Sequence, residues 1–186
     1  MNYRVMIGKM GLATFGKIFP LRYHLGGSIG NKIRCFFAKR IVKEMGENCI
    51  IERGAKIMED CIFGNAVGIG PNSMIGPGTI FKGYSLMGPN VHIYTTGHFY
   101  DATIHCFKGR TGPNPVTIGE NVWIGYGVII LPGVSIGNNT IIGAGSVVSR
   151  DIPSGVLAAG NPCIVKKVID KEIFEEYENE SIAYQL

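Results

Sequence analysis

Residues 51–93 read IERGAKIMEDCIFGNAVGIGPNSMIGPGTIFKGYSLMGPNVHI, and a large apolar side chain returns at every sixth position: Ile51, Ile57, Phe63, Ile69, Ile75, Phe81, Met87 and Ile93. Two residues ahead of each, from the second onward, stand the small or β-branched Ala55, Cys61, Val67, Ser73, Thr79, Ser85 and Val91. The pattern stops after Ile93 and resumes one residue out of phase as Ile118, Ile124, Ile130, Ile136, Ile142 and Val148, for fourteen hexads in all. Val116, Val122, Val128, Val134, Thr140 and Ser146 precede these by two.

A spacing of six is neither the 3.6 of a helix nor the plain alternation of a strand. Short strands joined by regular corners produce it, because residues two apart in a strand share a face and the rest of the hexad turns. Glycine follows the large residue at Gly64, Gly70, Gly76, Gly88, Gly119, Gly125, Gly137 and Gly143, and is expected to ease the corner sterically. Three such edges close a triangular coil. Coils stacked at the strand spacing of about 4.8 Å give a prism roughly 22 Å tall, filled by aliphatic rungs. Ordinary hairpins do not explain the run, since regular asparagine-glycine turns and strand-long alternation are both missing.

With 186 residues, one domain is expected, and hydrophobic content of 46% argues against a disordered chain. Five cysteines without a C-x-x-C pair suggest reduced thiols rather than a disulfide framework or a zinc ribbon. Arg4, Lys9 and Lys17 interrupt the N-terminal apolar stretch, and no run reaches the roughly 20 apolar residues of a membrane span. A cytoplasmic protein without a nucleic-acid partner is expected.

The charge is unevenly placed. Residues 1–45 hold nine of the eighteen Lys/Arg and one acid, Glu44, on a helically spaced apolar pattern of Ile29, Ile33, Phe36, Phe37, Ile41 and Met45, with Ser28 as the expected cap. Two roles fit such a block: capping the open end of the prism, which we favour, or lying peripherally on the anionic inner face of a membrane. Residues 46–168 form the repeat domain with a loop insertion at 94–115, and residues 169–186 read as an acidic C-terminal helix or tail.

On these hexads the chain resembles the hexapeptide-repeat acyltransferases, over residues 51–93 and 116–149. The resemblance implies an all-β left-handed parallel β-helix, an exception to the usual right-handed crossover, and a homotrimer with sites between subunits. It also implies acetyl-CoA as co-substrate and no metal. The insertion, YTTGHFYDATIHCFKGRTGPNP, is where function is expected on a repeat scaffold. Moving acetyl from a thioester to an alcohol needs a base working near neutral pH, a role suited to histidine. The stretch TTGHFYD is similar to the T-G-H segments of galactoside and maltose acetyltransferases, which makes His98 the expected base. Asp101 matches an aspartate of the maltose-type branch and is expected to orient the imidazole or meet the acceptor. Asn72 corresponds to an acceptor-binding asparagine.

Residues 114–168 are similar to the donor segments of the same enzymes. Carried over, Trp123 lies against the pantetheine arm, Gly125 and Tyr126 lie near the thioester, and Ala144 lies one coil further, small residues being expected where ligand touches backbone. Arg150, Lys166 and Lys167 are placed to meet the coenzyme A phosphates. The reading is an O-acetyltransferase acting on a sugar hydroxyl in surface polysaccharide synthesis. Its rivals are N-acetylation of an amino sugar or antibiotic-like acceptor, a γ-type carbonic anhydrase using His92, His98 and His105 as zinc ligands, and a non-catalytic scaffold.

Overall fold

Ile57, Ile75, Ile93, Ile130 and Val148 lie one above another, each paired in parallel register with the next. The first three are eighteen residues apart, so one coil is three hexads. The structure, a computed structural model, describes residues 2–169. Three parallel sheets form the sides of the prism. The first face stacks β1 (Glu44–Met45), β4 (Ile62–Asn65), β7 (Ile80–Gly83), β12 (Thr117–Glu120) and β15 (Ser135–Ile136). The second stacks β2 (Ile50–Ile51), β5 (Gly68–Ile69), β8 (Leu86–Met87), β13 (Val122–Ile124), β16 (Thr140–Ile142) and β18 (Val156–Ala159), closed by the antiparallel β19 (Ile164–Val168). The third stacks β3 (Lys56–Ile57), β6 (Met74–Ile75), β9 (His92–Ile93), β14 (Ile129–Ile130) and β17 (Val147–Val148).

The sixth-position residues are the core. Ile51, Ile69, Ile75, Phe81, Ile93, Ile118, Ile124, Ile130, Ile142 and Val148 have no exposed surface. Phe63 and Phe81 meet edge to face on successive coils, their centroids 5.5 Å apart. The small inward positions satisfy themselves on the corners: Thr79 donates to the Gly76 carbonyl at 2.7 Å and Ser85 to that of Gly119 at 3.0 Å. The repeat begins one hexad earlier than the sequence suggests, at Met45, which pairs with Phe63.

The corners correct one expectation. Gly64, Gly70 and Gly125 follow the large residue as expected but do not carry the left-handed backbone. That conformation falls two positions later, at Asn48, Asp60, Ala66, Asn72, Tyr84, Asn90, Asn121 and Asn139, with Gly54, Gly78, Gly127, Gly133 and Gly145 completing the sixfold period. The glycines after the large residue serve stacking instead. A Cβ on Gly70 would come within 2.0 Å of the Gly88 carbonyl oxygen in the next coil, and one on Gly125 within 2.6 Å of the Ala144 amide nitrogen.

Three helices precede the prism: α1 (Tyr3–Ala13), α2 (Phe15–Ile18) and α3 (Gly27–Ala38). The cap of α3 is Gly26 at φ +81°, a conformation suited to glycine, so the expected Ser28 sits inside the first turn. Ile41 and Met45, expected on the helical face, lie beyond the helix, Ile41 in the core and Met45 in β1. One side of α3 covers the open edge of β2: Asn31 accepts from the Ile51 amide at 2.9 Å, and the buried Arg34 donates through Nε to the Ile51 carbonyl. The helical cap of the sequence reading is therefore present. The five cysteines are free thiols, and burial pushes Cys61 up to about 12. No helix among the described residues is long and apolar enough to cross a membrane. The acidic C-terminal segment lies outside the described residues except for Ile169, which is buried.

Candidate active site

Ile93 pairs with Ile130, 37 residues on, which is one coil of eighteen plus an insertion of nineteen. The inserted chain leaves the prism after β9 and forms an antiparallel hairpin of β10 (His98–Asp101) and β11 (Cys106–Arg110). Its register is His98 opposite Arg110 and Phe99 opposite Lys108, so Gly109 is one residue too many on β11. Gly109 takes φ +50°, the left-handed bulge that glycine adopts readily.

That bulge aims the Gly109 carbonyl at His98, whose Nδ1 lies 2.8 Å from the oxygen. A carbonyl only accepts, so Nδ1 carries a proton, and in the neutral ring the lone pair is on Nε2. His98 thus presents a fixed basic nitrogen. It opens onto a cavity of about 490 Å³ between the hairpin and the third face, walled by Met58, Glu59, Met74, Tyr94, Thr95 and Arg110 among others. The Thr95 hydroxyl on this wall is buried and has no hydrogen-bond partner among the described residues. Arg110 and Glu59 carry no motif in the sequence; only the pairing of β10 with β11 and the stacking of coils bring them to His98.

Asp101 is elsewhere. Its carboxylate accepts from Lys108 Nζ at 2.7 Å and from the Thr103 amide at 2.9 Å and hydroxyl at 2.5 Å, closing the hairpin turn. Lys108 first, then Thr103, holds its carboxyl down at about 2. The expected contact with the imidazole is not made, because β10 alternates faces and three residues separate the two side chains; the Gly109 carbonyl orients the ring. Asn72 is a left-handed corner residue between the second and third faces and does not line the His98 cavity.

The three histidines are dispersed. His92 lies on the third face in register with Met74 and Ile129, and His105 sits in the hairpin turn against the Tyr100 hydroxyl at 3.2 Å. Among the described residues no group of three His, Cys, Asp or Glu side chains is placed to hold a metal.

The donor-side residues gather on the second face and its corner with the third. Trp123, 55% exposed, lies in register with Leu86 below and with Ile141, Leu157 and Lys167 above. From Trp123 to Lys167 is three strand spacings, about 14 Å. Lys166 neighbours Lys167 on β19, whereas Arg150 follows β17 at a different corner. The corner position after the stacking glycine is Pro71, then Pro89, then Tyr126, then Ala144. Proline has no N–H, so only the last two coils offer amide donors, and among the described residues neither the Tyr126 nor the Ala144 amide has an acceptor. Two free donors one coil apart, flanked by exposed Trp123 and Tyr126 rings and ending at lysines, fit an extended ligand with amide carbonyls and an anionic end. Backbone N–H groups, rather than small side chains, are what this corner offers; Gly125 is buried against Ala144.

These features define a repeat-prism acyltransferase. The family model for bacterial transferase hexapeptide repeats matches residues 115–150. The galactoside O-acetyltransferase of Lactococcus lactis is 40% identical over 149 residues, 76% of this chain and 70% of that one. A putative acetyltransferase of Saccharomyces cerevisiae is 45% identical over 121 residues, 60% of this chain and 61% of its own length. A galactoside acetyltransferase solved in complex with coenzyme A is 28% identical, with a TM-score of 0.63 over 91% of this chain and 82% of that one. The chain belongs to the hexapeptide-repeat acyltransferases, and its prism is the left-handed β-helix of that family.

Proposed function

We propose that this enzyme transfers acetyl from acetyl-CoA to a sugar hydroxyl, with His98 as general base. The single observation that carries the reading is the Nδ1 contact to the Gly109 carbonyl at 2.8 Å, which leaves Nε2 basic over the cavity. Nε2 takes the hydroxyl proton as the sugar oxygen bonds to the thioester carbonyl carbon. The Tyr126 or Ala144 amide holds the resulting oxyanion. Collapse breaks the carbon–sulfur bond, and the departing thiolate takes the proton back from the imidazolium, giving coenzyme A and an acetyl ester. Trp123 packs the pantetheine arm and Lys166 and Lys167 meet its phosphates, whereas Arg150, at a different corner, reaches them only from a neighbouring chain; Asp101 acts by holding the hairpin that carries His98. Asn72 is proposed to reach the acceptor.

Within one chain the base opens on the third face while the amides stand at the corner of the second and third. A site built between two chains of a homotrimer joins them. The acceptor is proposed to be a sugar of a surface polysaccharide, made in the cytoplasm at the inner membrane face. The half-exposed Tyr94 ring on the cavity wall suits a sugar ring's apolar face. The test is incubation with acetyl-CoA and a panel of galactosides, maltose and amino sugars, following thiol release and acetylated product. Ester on a sugar hydroxyl is expected; exclusive amide formation, or no acetyl transfer, contradicts the proposal.

A further inference from the structure

Helix α1 buries Gly8, Gly11 and Leu12 but leaves Tyr3, Ile7 and Met10 outside. Gly8 and Gly11 face inward, so close to α3 that a Cβ on Gly11 would come within 2.1 Å of the Phe37 ring and one on Gly8 within 2.7 Å of Ile41. Tyr3, Ile7 and Met10, at spacings of four and three, therefore form a single stripe on the outward side, with Tyr3 and Met10 72% and 61% exposed. The apolar surface continues past the helix end. Phe15 stacks on Phe37 at 6.0 Å, beside a shallow apolar groove edged by Lys32, and Ile18, Ile29 and Phe36 are exposed as well. Capping employs the opposite side of α3, through Asn31 and Arg34, and leaves this surface unexplained.

The surface is also strongly cationic. Of the nine Lys/Arg in residues 1–45, Arg34 is buried beside Glu52 and Lys9 is paired with Glu59, and the same stretch holds one acid. Arg4, Lys17, Arg22, Lys32 and Lys39 are exposed, and Arg40 lies 3.6 Å over the Phe36 ring. A contiguous apolar stripe rimmed by cations complements an anionic lipid surface, which takes apolar side chains below the headgroups and bases at their level. The direction of approach has a consequence for the site. Lys9 of α1 is ion-paired with Glu59, whose carboxyl is held below its usual range by that bond, and Glu59 walls the cavity beneath His98.

We propose that the outward face of α1 and α3 docks this protein on an anionic bilayer, bringing the His98 cavity beside the lipid surface, so that the acceptor is a glycan carried on a lipid anchor. The acceptor clause rests on the acetyltransferase reading; the docking does not. The test is flotation of the full-length protein with phosphatidylcholine vesicles, with and without about 30% phosphatidylglycerol, alongside acetyl transfer to a soluble galactoside. Expected are flotation with the anionic vesicles, release as salt rises from about 0.05 to about 0.5 M, and at least roughly tenfold weaker binding by the combined variant Tyr3→Ser, Ile7→Ser, Met10→Ser. Lys17→Glu with Lys32→Glu, which leaves the stripe intact, is expected to weaken binding too. Protein that stays in the soluble fraction overturns the proposal, as does a stripe variant that binds like the wild type. A stripe variant that sediments as a smaller assembly also overturns it, because the stripe then covers a second copy. Vesicle binding without acetyl transfer leaves the docking standing and sinks only the enzymatic reading.

Discussion

Tyr126 occupies a corner position that two earlier coils fill with Pro71 and Pro89, each followed by a residue in the left-handed conformation, as Tyr126 is by Gly127. Proline ahead of such a residue is the ordinary composition of a type II turn, so the backbone at Tyr126 already suits it. The Tyr126→Pro variant thus removes one N–H with little cost to the fold. If that amide holds the oxyanion, kcat is expected to fall about 10²- to 10³-fold while Tm changes by no more than a few degrees. Steady-state kinetics with thermal unfolding checks this, and an unchanged kcat assigns the oxyanion to Ala144. At this scale the sequence was legible where chemistry is local. His98 stands out because the hexads break around it, whereas Tyr126 was reached only through resemblance to the family's donor segments. Arg110 and Glu59 were not legible, since a bulged hairpin register and a stacking of distant coils place them, and neither leaves a local mark. Of the two roles the resemblance implied for Asp101, contact with the imidazole is not made, because alternation in β10 turns the carboxylate to Lys108 and Thr103.

The hairpin and the corners set the element scale. Lys108 and Thr103 hold the Asp101 carboxyl down at about 2, below the ordinary carboxylate range, so its bonds favour the folded hairpin fully above about pH 4. A depressed carboxyl loses its stabilising effect as pH falls through the folded value, so the hairpin is expected to loosen between pH 4 and pH 2, while Asp101→Asn shows reduced order already at neutral pH. Amide exchange at Phe99 through Lys108 reads this; equal protection in the two proteins contradicts it. Among the corners, Ala66 at φ +53° is an alanine where most coils use asparagine or glycine. Ala66→Asn is expected to stabilise by about 0.5–1 kcal/mol, measured by denaturant unfolding, and a loss of stability contradicts the strain argument. The period of six disclosed the rungs because burial repeats with it. It could not disclose why each glycine is needed, because the clash at Gly70 is with a residue eighteen positions away.

For the whole molecule, the proposed trimer, which would join a base and amides that lie on different parts of one prism, is tested by complementation between chains. Mixing His98→Ala chains with chains carrying Tyr126→Pro and Ala144→Pro, after dissociation and reassembly, is expected to recover about a quarter of the sites, formed where an intact His98 meets an intact donor corner. No recovery above the sum of the parents contradicts a site shared between chains. The N-terminal block was legible in composition alone, as basic and apolar together, but its two faces were not. Only the packing of Gly8 and Gly11 against α3 reveals that capping and an outward apolar stripe coexist.

The most direct measurement of the central claim is acetyl transfer from acetyl-CoA to a galactoside by the wild type and by His98→Ala, compared at equal Tm and equal coenzyme A affinity. The account predicts a kcat lower by about 10²- to 10⁴-fold in the variant. A variant that acetylates the sugar at the wild-type rate would show that the imidazole held by Gly109 is not the base.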